Sequence, residues 1–167
     1  MKKRILAILL MLTLLLSGCS EIKLKMDQIE NYESSESMGE RYAYEILDYL
    51  EAGDKEGLKS MFCEAVRDTD DFDEEIDELF EIWGDYTIED RETLDLSIGG
   101  RNRAWDYGEW TRDILGVHVS NLNNGGVTEF TFNVVLAYSE DESIIGMNCI
   151  RLWGNDELIL LVGEAQY

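Results

Sequence analysis

The amino-acid sequence predicts an α+β domain in which N-terminal helices pack on a curved antiparallel sheet. Between residues 38 and 83, apolar residues recur every three or four positions, which is the spacing of one helix face. From residue 127 onward, apolar and polar residues alternate, which is typical of half-buried strands. Gly-, Asn- and Asp-rich turn segments separate these later stretches, and the chain contains no proline. Helices followed by an antiparallel meander are typical of the α+β class.

The N-terminus has the features of a secretory signal peptide. Residues 2–4 are Lys-Lys-Arg, and an apolar run follows over residues 5–16, which is shorter than the roughly 20 residues that span a bilayer. The next residues, Leu-Ser-Gly-Cys at 16–19, resemble the lipobox of bacterial lipoproteins. The resemblance implies cleavage before Cys19 and a diacylglyceryl group on its thiol. The alternative is an ordinary signal peptide with a chance cysteine.

These features divide the chain into three parts. Residues 1–18 are expected to be a cleaved lipoprotein signal peptide, residues 19–37 the lipidated cysteine and a polar tether, and residues 38–167 the folded domain. The predicted location is therefore the cell membrane, with the domain lipid-anchored on the extracytoplasmic side. Two acyl chains give stable anchoring, so the diacylglyceryl group on Cys19 suffices as the membrane attachment.

The charge of the chain excludes nucleic acid as a partner. The net charge is −22, and removal of residues 1–18 takes away three basic and no acidic residues, which gives −25. Phosphates are repelled by such a domain, and no basic stripe is large enough to offset this repulsion. An anionic membrane surface is also expected to repel the domain, which leaves the attachment to the lipid.

Three helices are predicted in the first half of the domain. The first covers residues 38–52, and Gly53 ends it. Asp54 is expected to cap the second helix, because its carboxylate accepts hydrogen bonds from free backbone N–H groups. The apolar face of this second helix extends to Ala65. The third helix covers residues 72–83 and ends at Gly84.

Four strands and one weaker strand are predicted in the second half. They cover residues 114–121, 127–138, 144–153 and 158–162, with the weaker strand within 86–96. The segment Asn-Asn-Gly-Gly at 123–126 predicts a hairpin turn. Residues 101–112 follow Gly99-Gly100 and are expected to form a loop between strands.

Two family resemblances support this fold. The segment YEILDYLEAGDKEGLKSMF at 44–62 is similar to the opening of the nuclear transport factor 2-like (cystatin-like) cone, a long helix, a Gly-Asp break and a short helix. The segments IDELFEIWGDYT at 76–87 and IIGMNCIRL at 144–152 resemble the domain of unknown function 5104 family. The resemblance implies the cone fold and brings no established catalytic residues.

The segment 101–112 is the candidate binding site, because it concentrates basic and aromatic residues in an acidic chain. Arg, Trp and Tyr are enriched at binding hot spots. The segment therefore predicts non-catalytic binding of an unknown protein or small-molecule ligand, anionic or aromatic. The alternative is structural: the Trp residues close the end of the cone while the Arg residues pair with surplus carboxylates. The candidate residues are Arg101, Arg103, Trp105, Tyr107, Trp110 and Arg112.

A second hypothesis is a small-molecule enzyme of the isomerase, dehydratase or hydrolase type, with an acid/base pair in the cone cavity. His118 is the histidine of the chain, and it is out of phase with Leu115 and Val117. Tyr42, Tyr49 and Asp113 are possible partners, although no spacing selects one of them. The alternative is a surface histidine with no catalytic role, and no residue is assigned as catalytic.

The acidic run and the cysteines predict neither a metal site nor a cofactor. Fourteen acids lie within residues 68–95, yet an EF-hand register from Asp68 or Asp71 lacks the required Gly and Glu. The run is therefore interpreted as a solvated helix face. Cys63 and Cys149 lack zinc-site spacing; a disulfide between them and two buried thiols both remain open. No phosphate- or dinucleotide-binding motif is present.

Overall fold

The computed structural model describes residues 34–106 and 109–164, apart from the side chains of residues 105–110. Four helices come first: α1 (Ser35–Ala52), α2 (Lys55–Met61), α3 (Glu64–Arg67) and α4 (Phe72–Trp83). Five strands follow: β1 (Asp95–Asp106), β2 (Glu109–Ser120), β3 (Glu129–Tyr138), β4 (Gly146–Gly154) and β5 (Glu157–Val162). The expected signal peptide, Cys19 and residues 20–33 of the expected tether lie outside the described residues.

The predicted first and third helices are confirmed. Helix α1 begins at Ser35, slightly before the predicted start, and α4 has the predicted bounds of residues 72–83. Each helix buries its apolar stripe, because the i, i+3, i+4 spacing places those residues on one face. The buried residues are Ala43, Ile46, Leu47 and Leu50 in α1 and Phe72, Ile76, Leu79 and Trp83 in α4.

The second predicted helix is divided into two short helices. Its predicted cap is confirmed, because the Asp54 carboxylate accepts a hydrogen bond of 2.8 Å from the Gly57 N–H. Helix α2 then ends at Met61, and Phe62 is extended. The Cys63 N–H donates to the Met147 carbonyl at 2.8 Å, so this part of the chain is tied to the sheet before α3 begins.

The strands form one open, curved sheet in the order β1-β2-β3-β4-β5, with every neighbouring pair antiparallel. The α+β prediction and the strands predicted after residue 113 are confirmed. The predicted hairpin turn at 123–126 is also confirmed, and a bridge between Asn124 and Val127 closes it. Register shifts interrupt every neighbouring pair of strands, and such bulges increase local twist and bend.

Two predictions for residues 86–112 are wrong. The weak strand within 86–96 is mostly absent: residues 91–93 form a 3₁₀ turn, whose N-cap Asp90 accepts from the Glu92 N–H, and β1 begins only at Asp95. Residues 101–106 and 109–112 of the expected loop are instead the paired ends of β1 and β2. Gly99 lies at a register shift within β1, and the strand continues beyond it where a loop was expected. Thr and aromatic residues favour the extended pairing that follows.

The core lies between the helices and one face of the sheet, which we call the inner face. Phe130, Phe132 and Leu115 are fully buried on this face, and Trp83 of α4 is buried with them. In the described part of the chain, the buried polar or charged residues are Asp113 and Asn148. The opposite side of the sheet, which we call the outer face, carries the alternate residues of each strand.

Candidate binding site on the β1–β2 hairpin

The side chains of the β1–β2 hairpin alternate between the inner and the outer face of the sheet. Along β2, Asp113, Leu115 and Val117 are buried, whereas Gly116 and His118 alternate with them and are half-exposed. Because side chains alternate along a strand, the first group belongs to the inner face and the second to the outer face. The candidate site therefore has two sides with different chemistry.

On the inner face, two arginines converge on one buried carboxylate. Arg101 donates to Asp113 through Nε at 2.8 Å and through Nη2 at 2.7 Å, a bidentate pair, and Arg103 Nε lies 3.3 Å from Asp113 Oδ1. Arg101 Nη1 also donates to the Ser35 Oγ at 3.0 Å, which joins the hairpin to the start of α1. The side chains of Arg101, Arg103 and Asp113 are 11%, 25% and 8% exposed. Bidentate arginine–carboxylate pairs of this kind are strong and fix the orientation of both side chains.

The predicted basic residues do not form one patch. Arg112 pairs with Ala104 and Tyr138, is exposed, and alternates with Asp113, so it belongs to the outer face. Arg101 and Arg103 belong to the inner face. The backbones of Trp105 and Trp110 are paired across the hairpin. Their side chains, and the whole of Tyr107, lie outside the described residues.

The outer face of the hairpin contains a shallow groove of about 820 Å³. Gly100 and Gly116 face each other across β1 and β2, so part of the groove floor has no side chains. A Cβ atom added to Gly116 would stand only 3.0 Å from Asn133 Oδ1, whereas a Cβ at Gly100 would meet open space. Asn102 and Asn133 border the groove, and Arg101 and Arg103 also contribute to its lining, so its polar groups include amides and parts of the two arginines.

His118 also borders this groove, and its partner is Glu129. The His118 Nε2 lies 2.7 Å from Glu129 Oε2, and both side chains are about one third exposed. None of the possible partners named from the sequence, Tyr42, Tyr49 and Asp113, is hydrogen-bonded to His118. The reason is alternation: His118 is on the outer face, whereas Asp113 is on the inner face and is bound by arginines.

The two tyrosines have partners within α1. The Tyr49 hydroxyl donates to Glu45 at 3.4 Å, and the Arg41 guanidinium lies 4.6 Å from the centroid of the Tyr42 ring. Burial and the neighbouring Glu45 raise the pKa of Tyr49. These contacts account for both side chains within the helix and leave neither of them beside His118.

Two partners in this region were missed by sequence reasoning. Asp113 was considered only as a partner of His118, although its phase with Leu115 and Val117 indicates the inner face. Glu129 lies within the strand predicted at 127–138 and was not considered as a partner of His118. Its pairing with His118 depends on the β2–β3 register, in which His118 stands opposite Thr131, two residues from Glu129.

The two cysteines are free and buried, so the disulfide alternative is not realised. Cys149 stands opposite Asn133 on the outer face, and its sulfur accepts from Arg151 Nη1 at 3.0 Å. Cys63 belongs to the core between helices and sheet. Burial raises the pKa of both thiols, and the positive charge of Arg151 partly opposes this effect at Cys149.

The acidic run makes structural contacts. Lys55 and Lys59 pair with Asp77 and Asp73 of α4, each at 2.6 Å, and the Glu75 carboxylate accepts from the Gly163 N–H at 2.8 Å. Within residues 34–106 and 109–164, no three His, Cys, Asp or Glu side chains are grouped to hold a metal ion. No helix in the same ranges is long and apolar enough to cross a membrane.

The comparisons with known proteins identify a family. The model of the family described as domain of unknown function (DUF5104) matches residues 45–155, which is more than half of the chain. This range begins within α1 and continues through β4, so it includes the whole β1–β2 hairpin. The search of curated proteins finds no match. The chain therefore belongs to the DUF5104 family.

Proposed function

We propose that this protein is a lipoprotein anchored to the cell membrane, whose extracytoplasmic domain binds a ligand or a partner protein without catalysis. The anchor is the diacylglyceryl group on Cys19, and the binding element is the β1–β2 hairpin. The observation that carries the binding proposal is the convergence of Arg101 and Arg103 on Asp113.

The arginines of this cluster support an anionic group as the ligand. Two arginines at neighbouring positions of one strand face are a local concentration of basic residues in a chain with a net charge of −22. Arg103 is the more accessible of the two arginines, and its guanidinium presents several donors in a planar fork that suits carboxylates. Asn102, between the two arginines, is exposed and borders the outer groove. An unknown protein or a small molecule with a carboxylate suits this arrangement.

The packing of the inner face supports a non-catalytic role. Phe130, Phe132 and Trp83 fill the space between sheet and helices. Asp113, the buried carboxylate of the described residues, is held by two arginines and is therefore poorly suited to act as a base. The histidine lies on the other side of the sheet.

The proposal includes the nuclear transport factor 2-like (cystatin-like) fold. Its support is the order of elements, with amphipathic helices first and a curved five-stranded meander after them. The segment 44–62 contributes a long helix, the break at Gly53-Asp54 and the short helix α2. These features match the opening of that fold described above.

The anchoring proposal is tested by replacing the lipidated residue. Wild-type protein and a Ser20→Ala control are expected to sediment with membranes, whereas Cys19→Ser is expected to appear in the soluble fraction. Immunoblots of the two fractions measure the distribution. Sedimentation of Cys19→Ser with membranes to the same extent as wild type would contradict lipid anchoring.

The binding proposal is tested by removing the accessible arginine of the cluster. Tagged wild-type protein, Arg103→Ala and the exposed control Arg67→Ala are cross-linked in intact membranes and purified, and captured molecules are quantified by mass spectrometry. Recovery of a partner that wild type and Arg67→Ala both retain should fall at least tenfold with Arg103→Ala, because a hydrogen bond to a charged group contributes about 1.5–3 kcal/mol. Equal capture by all three proteins, with melting temperatures unchanged, would refute binding through this cluster.

A further inference from the structure

A second concavity lies between helix α1 and β1, on the inner side of the sheet, with a volume of about 380 Å³. Its floor is apolar: Leu94 is buried, and Leu96 and Ile98 are half-buried. Helix and sheet approach closely at one end, where a Cβ atom on Gly39 would stand 2.6 Å from Ile98 Cδ1. We call this concavity the α1–β1 groove. It contains neither the two arginines nor Asp113 of the hairpin site, and shares Val117 with the outer groove.

Carboxylates surround the apolar floor on both sides. Glu36 and Glu40 come from α1, and Glu92 and Asp95 come from the segment that leads into β1. All four residues are exposed. The groove therefore combines an apolar floor with a rim that carries a formal charge of −4.

The basic residue at this rim, Arg91, already forms ion pairs. Arg91 lies 2.8 Å from Asp48 Oδ1 and 2.7 Å from Glu51 Oε2, both on α1. Its charge is thus balanced by carboxylates outside the rim. The neighbouring Tyr44 is hydrogen-bonded to Glu40, and burial together with Glu40 raises the pKa of Tyr44. Arg91 is the cation on the groove lining among the described residues, and its ion pairs are with Asp48 and Glu51, so the four rim carboxylates face solvent without an ion pair to it.

The groove runs along an edge of the sheet. β1 is first in the strand order, so among the described residues no strand pairs with its other edge. Such an edge exposes backbone N–H and C=O groups that favour addition of an extended peptide. The unpaired edge adds a peptide-binding feature to a groove that is already apolar and acid-rimmed.

We propose that the α1–β1 groove binds an extended cationic amphipathic peptide, in which Lys or Arg residues alternate with aliphatic ones. Aliphatic side chains cover Leu96 and Ile98 on the floor, and the basic side chains reach the rim carboxylates. Charge complementarity selects this occupant: an anionic peptide would meet four carboxylates and the field of a chain at −22. The volume is near the lower limit of ligand sites, about 300 Å³, and suits a few side chains.

The test uses the full chain in nanodiscs of zwitterionic phosphatidylcholine, with empty nanodiscs as the blank. The probe is a fluorescent peptide that alternates three lysines and three leucines, and its binding is measured by anisotropy. A second peptide has the same composition with the lysines and leucines in two blocks. The groove variant is Glu36→Gln/Glu40→Gln/Glu92→Gln. The control variant, Glu74→Gln/Glu78→Gln/Glu81→Gln, removes the same charge from the exposed side of α4.

The groove variant is expected to bind the alternating peptide about tenfold more weakly, since three exposed ion pairs are lost. The control variant should bind within about twofold of wild type, and the block peptide should bind wild type more weakly than the alternating one. Equal weakening in both variants would overturn the proposal, because it would indicate attraction by net charge alone. Equal binding of the two peptides, or no binding above empty nanodiscs, would overturn it as well. All substitutions are at exposed positions, so loss of folding is not expected to obscure the result.

Discussion

Replacement of Asp113 by asparagine is expected to destabilise the domain by about 3 kcal/mol. The Asp113 side chain is 8% exposed and accepts three hydrogen bonds from Arg101 and Arg103. Removal of one partner from a buried ion pair costs about 3–5 kcal/mol, because the opposite charge stays buried. Asparagine keeps the size of the side chain and removes its negative charge. Arg103 is 25% exposed and is partly solvated, which places the expected loss at the lower end of that range.

The assay is urea unfolding followed by the fluorescence of the four tryptophans, among which Trp83 is 1% exposed in the folded state and becomes solvated on unfolding. With a slope of about 2 kcal/mol per molar urea, the midpoint should fall by about 1.5 M. Asp85→Asn is the matched control, since Asp85 is exposed, and its midpoint should move by less than about 0.3 M. A loss below about 1 kcal/mol for Asp113→Asn would refute the argument, because the arginine cluster would then be solvated rather than buried.

Three further predictions follow from local geometry and burial. Gly84→Ala should lower the free energy of unfolding by about 1–3 kcal/mol, since Gly84 has φ +62° and ψ −145°. Gly100→Ala, at an unstrained position with open space around it, should change the free energy of unfolding by under about 0.5 kcal/mol in the same urea assay. Asp54→Ala should cost about 1 kcal/mol by removing the cap of α2, and equal midpoints for variant and wild type would contradict that role. Cys63 and Cys149 should resist alkylation near pH 8 until urea unfolds the domain, and rapid alkylation of native protein would contradict their burial. The free energy of unfolding should fall as pH rises above about 9, because the pKa values of both thiols are raised in the folded state and ionisation of the thiols then favours the unfolded state.

The helices and strands that were predicted correctly are those in which the apolar residues keep the same spacing from the first residue to the last. Helix α4 has an uninterrupted stripe between Phe72 and Trp83, and Gly84 ends it, so both of its bounds were predictable. The second predicted helix failed at Phe62, because a hydrogen bond from Cys63 to the distant Met147 fixes the chain there. The spacing of apolar residues along the helix does not indicate such contacts with residues far away in the sequence.

The candidate site was predicted only in part, because its geometry depends on strand register. The concentration of Arg and Trp at 101–112 was visible in the sequence, yet the segment after Gly99-Gly100 was predicted to be a loop, whereas the two glycines lie at a register shift within β1 and the strand continues. Only the pairing of Arg103 with Asp113 across the hairpin reveals the arginine cluster. The partner of His118 depends in the same way on the β2–β3 register.

The central claim is that the β1–β2 hairpin of the membrane-anchored protein contacts a specific molecule. The most direct measurement places a photo-crosslinking amino acid at Asn102, which is exposed between the two arginines, and at Glu78 on α4 as the control. After irradiation of intact membranes, we expect a discrete adduct of reproducible mass from position 102, absent from position 78 and lost when Arg103→Ala is added. No adduct from position 102, or the same products from both positions, would contradict the claim.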